Sequence, residues 1–112
     1  MGRITADALQ QLLLGLMENY PRPFLEAQLN ILGSHDTIRA LTVLSGAPGR
    51  DDLSREEQAV WAPEPKALAL GKAKLRLAVL LQFGMPGVPC IYYGDEAGMT
   101  GMADPLAGAL SL

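Results

Sequence analysis

Residues 66–93 read KALALGKAKLRLAVLLQFGMPGVPCIYY, and the fold class turns on them. Over 66–83, Lys72, Lys74, Arg76 and Gln82 are polar, while Leu68, Leu75, Leu77, Ala78, Val79, Leu80, Leu81 and Phe83 make much of the rest apolar. This is a helix, and one so apolar expects cover on more than one side. Gly84-Met85-Pro86-Gly87 stops it, because proline and glycine interrupt helical backbone. The run 88–93 that follows is β-branched and aromatic, the signature of a buried strand.

Working back toward the N-terminus, a second helix–strand unit precedes this one. Thr5 can cap a helix with Asp7 in its first turn, where the dipole favours an anion. Leu9, Leu12, Leu13, Leu16 and Met17 then recur at the spacing of one apolar face. That helix ends at 18–20, because Pro21 and Pro23 cannot continue it. The apolar run 24–32, closed by Gly33-Ser34, fits a short buried strand placed at about 27–32, and helix periodicity also fits so short a run. Residues 37–44 suit a short helix leaving the strand end. Residues 45–65, rich in Gly and Pro with charges at Arg50, Asp51 and Asp52, form a surface excursion with a helical turn at 54–61. Trp61 is a loop anchor or a ligand-stacking platform. Helix, strand, helix, strand implies an α/β fold with parallel strands and helical crossovers. From Gly94 onward no further regular element is expected.

Composition bounds the function. The chain has 112 residues, 49% hydrophobic and 19% charged, enough for one domain with a core and too few for two. Nine basic against twelve acidic residues leave a net charge of −3, which gives nucleic-acid binding no electrostatic support. No stretch reaches the roughly 20 apolar residues of a membrane span. No signal peptide is evident either, so a cytoplasmic location is the default expectation. Cys90 is the single cysteine and His35 the single histidine, so neither an internal disulfide nor a multi-histidine metal site can form.

Chemistry is sought at the two strand ends, where parallel α/β folds place their ligands. The first carries His35-Asp36, a pair suited to hydroxyls because imidazole donates and carboxylate accepts. The second carries Tyr93-Gly94-Asp95-Glu96. On spacing alone, a His-Asp after a strand is more often a turn or cap, and Asp95-Glu96 more often a solvated loop with a helix-start preference. Ser34 beside His35 makes no nucleophile–base pair, since adjacent strand side chains point apart.

At these residues the chain resembles a known family. Leu29-Asn30-Ile31-Leu32-Gly33-Ser34-His35-Asp36-Thr37-Ile38-Arg39 is similar to the seventh-strand motif of the alpha-amylase family, in its neopullulanase, cyclomaltodextrinase and amylopullulanase branch. The run from Leu81 to Met99 resembles the eighth-strand motif, and the likeness extends from Thr5 to Pro105. It implies one partial domain, 1–112, from a TIM (β/α)8 barrel, with parallel strands at about 27–32 and 88–93. By the same resemblance Asp36 is the third catalytic carboxylate, stabilising an oxocarbenium-like transition state. His35 binds a hydroxyl of the same sugar, and Arg39 is a further substrate-binding candidate. Such groups act through electrostatic preorganisation and substrate distortion. Tyr93, Gly94, Asp95 and Glu96 match a region of barrel closure and loop support.

The departures matter equally. The nucleophile and general acid of retaining hydrolysis come from the family's fourth and fifth strands, and no segment here resembles either. After Asp104-Pro105 the family continues with Asn, Arg and an aromatic-proline stretch, whereas this chain reads LAGALSL. A barrel of this type takes about 250 residues. The resemblance thus implies a fragment, inactive alone, of an enzyme acting on alpha-glucans or maltooligosaccharides. Open strand edges and apolar helix faces imply self-association. No cofactor is expected; some family members use calcium, but no oxygen-ligand loop can be assigned here. Two other readings are a non-catalytic self-associating module or relic, and a carbohydrate-binding piece using Trp61, Tyr92, Tyr93 and His35.

Overall fold

A computed structural model describes residues 4–103 of the chain. The elements run α1 (Ala6–Asn19), α2 (Arg22–Ala27), β1 (Leu29–Ile31), α3 (Ala40–Leu44), a 3-10 turn (Arg50–Asp52), α4 (Arg55–Val60), α5 (Pro65–Gly84) and β2 (Val88–Cys90). The two strands pair in parallel, with Leu29 opposite Val88 and Ile31 opposite Cys90. The expected helical crossover and parallel pairing are therefore present. The divergent tail from Asp104 lies outside the described residues.

The helix ends follow local chemistry. The Thr5 hydroxyl accepts the Ala8 N–H at 3.2 Å and starts α1. Ser54 and Glu57 form a reciprocal capping box on α4, with bonds of 3.2 Å from Glu57 N to Ser54 Oγ and 2.8 Å from Ser54 N to Glu57 Oε2. Pro65 opens α5 at the one turn where its missing N–H costs nothing.

The start of the apolar run is helical, since 24–27 belong to α2, and this corrects the expected strand start from 27 to Leu29. Pro21 and Pro23 end α1 but also preset the backbone for a new start. The Pro21 carbonyl accepts from Phe24 and Leu25 N–H at 2.9 and 3.3 Å, and Arg22 pairs with Glu26 one turn on at 2.7 Å. Both strands are shorter than expected, three residues each, against the expected 27–32 and 88–93. They are also not buried on both faces. Leu29, Ile31 and Val88 are 63%, 56% and 51% exposed, while Asn30 and Pro89 face inward. Two strands with one helical layer can cover only one side of a sheet.

A polar clasp on that covered side joins the sheet to α5. Gln82, buried in the apolar helix, donates through Nε2 to the Asn30 carbonyl at 2.7 Å and the Cys90 carbonyl at 2.9 Å. Asn30 answers by donating its amide to the Gln82 and Pro86 carbonyls, each at 3.1 Å, at the C-terminal end of α5. Pro89 does no harm in β2. Val88 N donates to Gln28 O at 2.8 Å, and the two-residue repeat of the ladder turns position 89 away from β1.

The buried apolar residues are few: Leu25, Ala40, Leu41, Met102 and Ala103. Most lie where α3 packs on α5 and the 101–103 segment folds back. Gly71 sets that approach, since a Cβ there would stand 3.1 Å from Ser45 Cα and collide with its hydroxyl. Much of the apolar surface stays open, including Leu77, Leu80 and Phe83 of α5 and Leu12, Leu16 and Met17 of α1.

Replacing Gln82 by Glu keeps the shape but turns an acceptor, the ionised carboxylate, toward two carbonyl oxygens that need a donor. At neutral pH this should cost about 2–3 kcal/mol in urea unfolding, with part recovered at acid pH, where the protonated carboxyl donates again. An unchanged midpoint at neutral pH would show that the clasp does not hold the sheet.

Candidate functional site

The pair singled out in the sequence stands at the carboxyl end of β1, on a turn. Thr37 N donates to the Ser34 carbonyl at 3.3 Å, which makes His35 and Asp36 the two central residues. The Thr37 hydroxyl closes the turn twice, accepting from Ser34 N at 3.0 Å and donating to Ser34 O at 3.1 Å. His35 Nε2 lies 3.3 Å from Asp36 Oδ2, with side chains 68% and 79% exposed. Ser34 sits in this turn and not in a strand. The pair offers a donor–acceptor edge to solvent, the chemistry a vicinal diol can meet. Asp36 also stands on the rim of an open groove of about 660 Å³, whose walls include Leu32, Ile38, Val43, Pro48 and Ala78.

Arg39 occupies a different setting. It is the residue before α3, and its side chain is wholly buried. Nη1 donates to the Tyr93 carbonyl and lies 3.6 Å from Asp95 Oδ1. The guanidinium also covers the rings of Tyr92 and Tyr93, at 4.6 and 4.5 Å from their centroids. In this arrangement Arg39 presents no surface to a ligand, and it joins the ends of the two strands.

The segment after β2 is a succession of turns built around that guanidinium. Asp95 N, Ala97 N, Gly98 N and Met99 N all bond back to carbonyls of residues 92–95, so Asp95-Glu96 starts no helix. Gly94 has φ +83°, a conformation few side chains tolerate, and a Cβ there would run into Met99. Gly101 then brackets α3: its carbonyl accepts from Arg39 N at 3.1 Å, and its N–H donates to the Thr42 hydroxyl at 2.8 Å. Tyr92 and Tyr93 are engaged by Arg39, and Trp61 is half-buried as it ends α4. No group of three or more His, Cys, Asp or Glu that could hold a metal occurs among the described residues. Nor is any helix there long and apolar enough to cross a membrane.

Burial raises the Asp95 pKa above its ordinary value; the Arg39 charge opposes this and Glu96 adds to it. The folded chain thus keeps the Asp95 proton to higher pH than the unfolded chain. The stability this contributes is complete below the unfolded value, about pH 4, and is lost as pH rises through the raised folded value. Wild type should therefore lose stability relative to Asp95→Asn over that interval, measured by thermal melts across pH. Parallel melting curves would sink this account.

Similarity to known proteins identifies the family. The alpha-amylase catalytic domain matches residues 4–107. The amylopullulanase of Thermoanaerobacter thermohydrosulfuricus is 45% identical over 102 residues, 91% of this chain and 6% of its own length. The cyclomaltodextrinase of Geobacillus thermopakistaniensis is 36% identical over 102 residues, again 91% of this chain, and 13% of its own. Neopullulanase 2 of Thermoactinomyces vulgaris is 38% identical over 86 residues, 77% of this chain and 11% of its own. The chain thus spans only a small part of each of these relatives. No solved structure matches it. With nearly its whole length matched by that catalytic domain, the chain belongs to the alpha-amylase family.

Proposed function

We propose that the chain is part of the TIM-barrel catalytic domain of a retaining alpha-glucan hydrolase, and that it supplies the corner stabilising the transition state. The carrying observation is the His35–Asp36 pair, 3.3 Å apart and open to solvent at the carboxyl end of a parallel strand. Asp36 accepts from sugar hydroxyls and His35 donates to one. Their grip tightens as the ring flattens and positive charge develops at the anomeric carbon. Covalent chemistry needs a nucleophilic carboxylate and a general acid across the scissile bond, and we assign these to strands that this chain does not contain. Arg39 is read as acting through the loop it holds, because its side chain is enclosed.

Purified alone, the chain should not hydrolyse a chromogenic maltoside. Grafted in place of the matching segment of the Geobacillus cyclomaltodextrinase, residues 4–107 should support turnover. Asp36→Asn in that graft should lower kcat by about 10²–10³-fold. An active graft indifferent to Asp36→Asn would overturn the assignment, and so would hydrolysis by the isolated chain.

The same reading implies self-association of the isolated chain. Leu29, Ile31 and Val88 lie open on the sheet face, and Leu77, Leu80 and Phe83 lie open on α5, so both surfaces want apolar cover. Sedimentation equilibrium should return a mass above that of one chain. A compact monomer with a sharp thermal transition would refute this.

A further inference from the structure

The His35–Asp36 turn closes on itself, and its orientation has to come from what flanks it. Among the described residues, the hydrogen bonds of 34–37 all close on the turn itself, so they shape it without orienting it. Its orientation is set by its flanks. On one side is β1, which ends at Ile31; on the other is Arg39, three residues past Asp36. Arg39 is fixed at both its backbone and its side chain, by Gly101 O, Tyr93 O, Asp95 and two tyrosine rings.

We propose that Arg39 is a positioning residue: the buried clasp of Arg39 with Asp95 and the Tyr92–Tyr93 pair makes the loop after β2 set how His35 and Asp36 are presented. This rests on the reading of that pair as the sugar-binding edge. The shape of the clasp argues that it needs arginine. A planar guanidinium can lie over two rings, which stand edge-on to each other at 4.7 Å and 67°, and still donate in its plane to a carbonyl. A lysine ammonium can keep the charge, but it cannot fill that slot.

His35 is the chain's only histidine, so its ring resonances report on the turn without ambiguity. The test is NMR of the full chain at fixed pH, comparing wild type with Arg39→Lys, Asp95→Asn and Glu26→Gln. The last breaks only an exposed ion pair on α2 and serves as control. With Trp61 emission and melting showing a folded chain, Arg39→Lys should displace the His35 ring resonances and sharpen them as the turn gains freedom. Asp95→Asn should act in the same direction, less strongly, and Glu26→Gln should leave them in place. Should Arg39→Lys not fold, the Asp95→Asn spectrum decides. His35 resonances coincident with wild type in the folded clasp variants would overturn the inference, as would an equal response to Glu26→Gln. No sugar enters this measurement, so failure of the alpha-glucan reading, seen in the Asp36→Asn graft, is distinguishable from failure of the clasp.

Discussion

Two parallel strands of three residues cannot hold each other, and the rest of the structure depends on what does: a buried glutamine in an apolar helix. Gln82 satisfies one carbonyl on each strand, and Asn30 returns the bond to the end of the same helix. Isolated strand pairs are marginal in water. This one is tied to a 20-residue helix by polar groups that desolvation makes expensive to separate. The register follows, because a one-residue slip would turn Asn30 from α5 to the open face. With the register set, the carboxyl ends of both strands, and the loops that leave them, point the same way.

At that end a second buried polar group repeats the device with a charge. Arg39 joins the residue before α3 to the loop after β2, as Gln82 joins the strands to α5. The two differ in cost. A neutral amide with its bonds made is cheap to bury, whereas the guanidinium draws Asp95 with it, and burial of that carboxyl outweighs the attraction enough to raise its pKa. A surface salt bridge would avoid that cost but would specify less. The enclosed version fixes a plane, a direction and a carbonyl at once.

The helices and their order were readable because they rest on local rules: Thr5 and Ser54 cap, Leu9 to Met17 mark one face, and Gly84 to Gly87 stop α5. The stretch 24–27 stayed open between strand and helix because apolar content in so short a run does not separate the two. The Pro21–Pro23 spacing is both a stop for α1 and a start signal for α2. Strand lengths were overestimated for a tertiary reason, since pairing ends where the partner does. At the site, the turn was among the readings left open. The burial of Arg39 was not legible, because nothing local says that a strand-end arginine will find two tyrosines 53 and 54 positions later. One signal was available and missed: Gln82, in a helix otherwise so apolar, marks a buried position with bonds to make.

The exposure of His35 and Asp36 follows from this architecture. A carboxylate and an imidazole on a two-residue turn tip, in water, hold a sugar no better than solvent does, because each bond offered replaces one already made to water. Their value rises only when the low-dielectric walls of a closed site strengthen each bond and the partners are held still before the sugar arrives. In the role proposed for it, this chain would contribute the second condition, through the turn and the arginine behind it. The first requires apolar cover over the open face of β1 and β2 and over α5. On that proposal, the open apolar surface is therefore the surface through which a surrounding barrel would give the pair its strength.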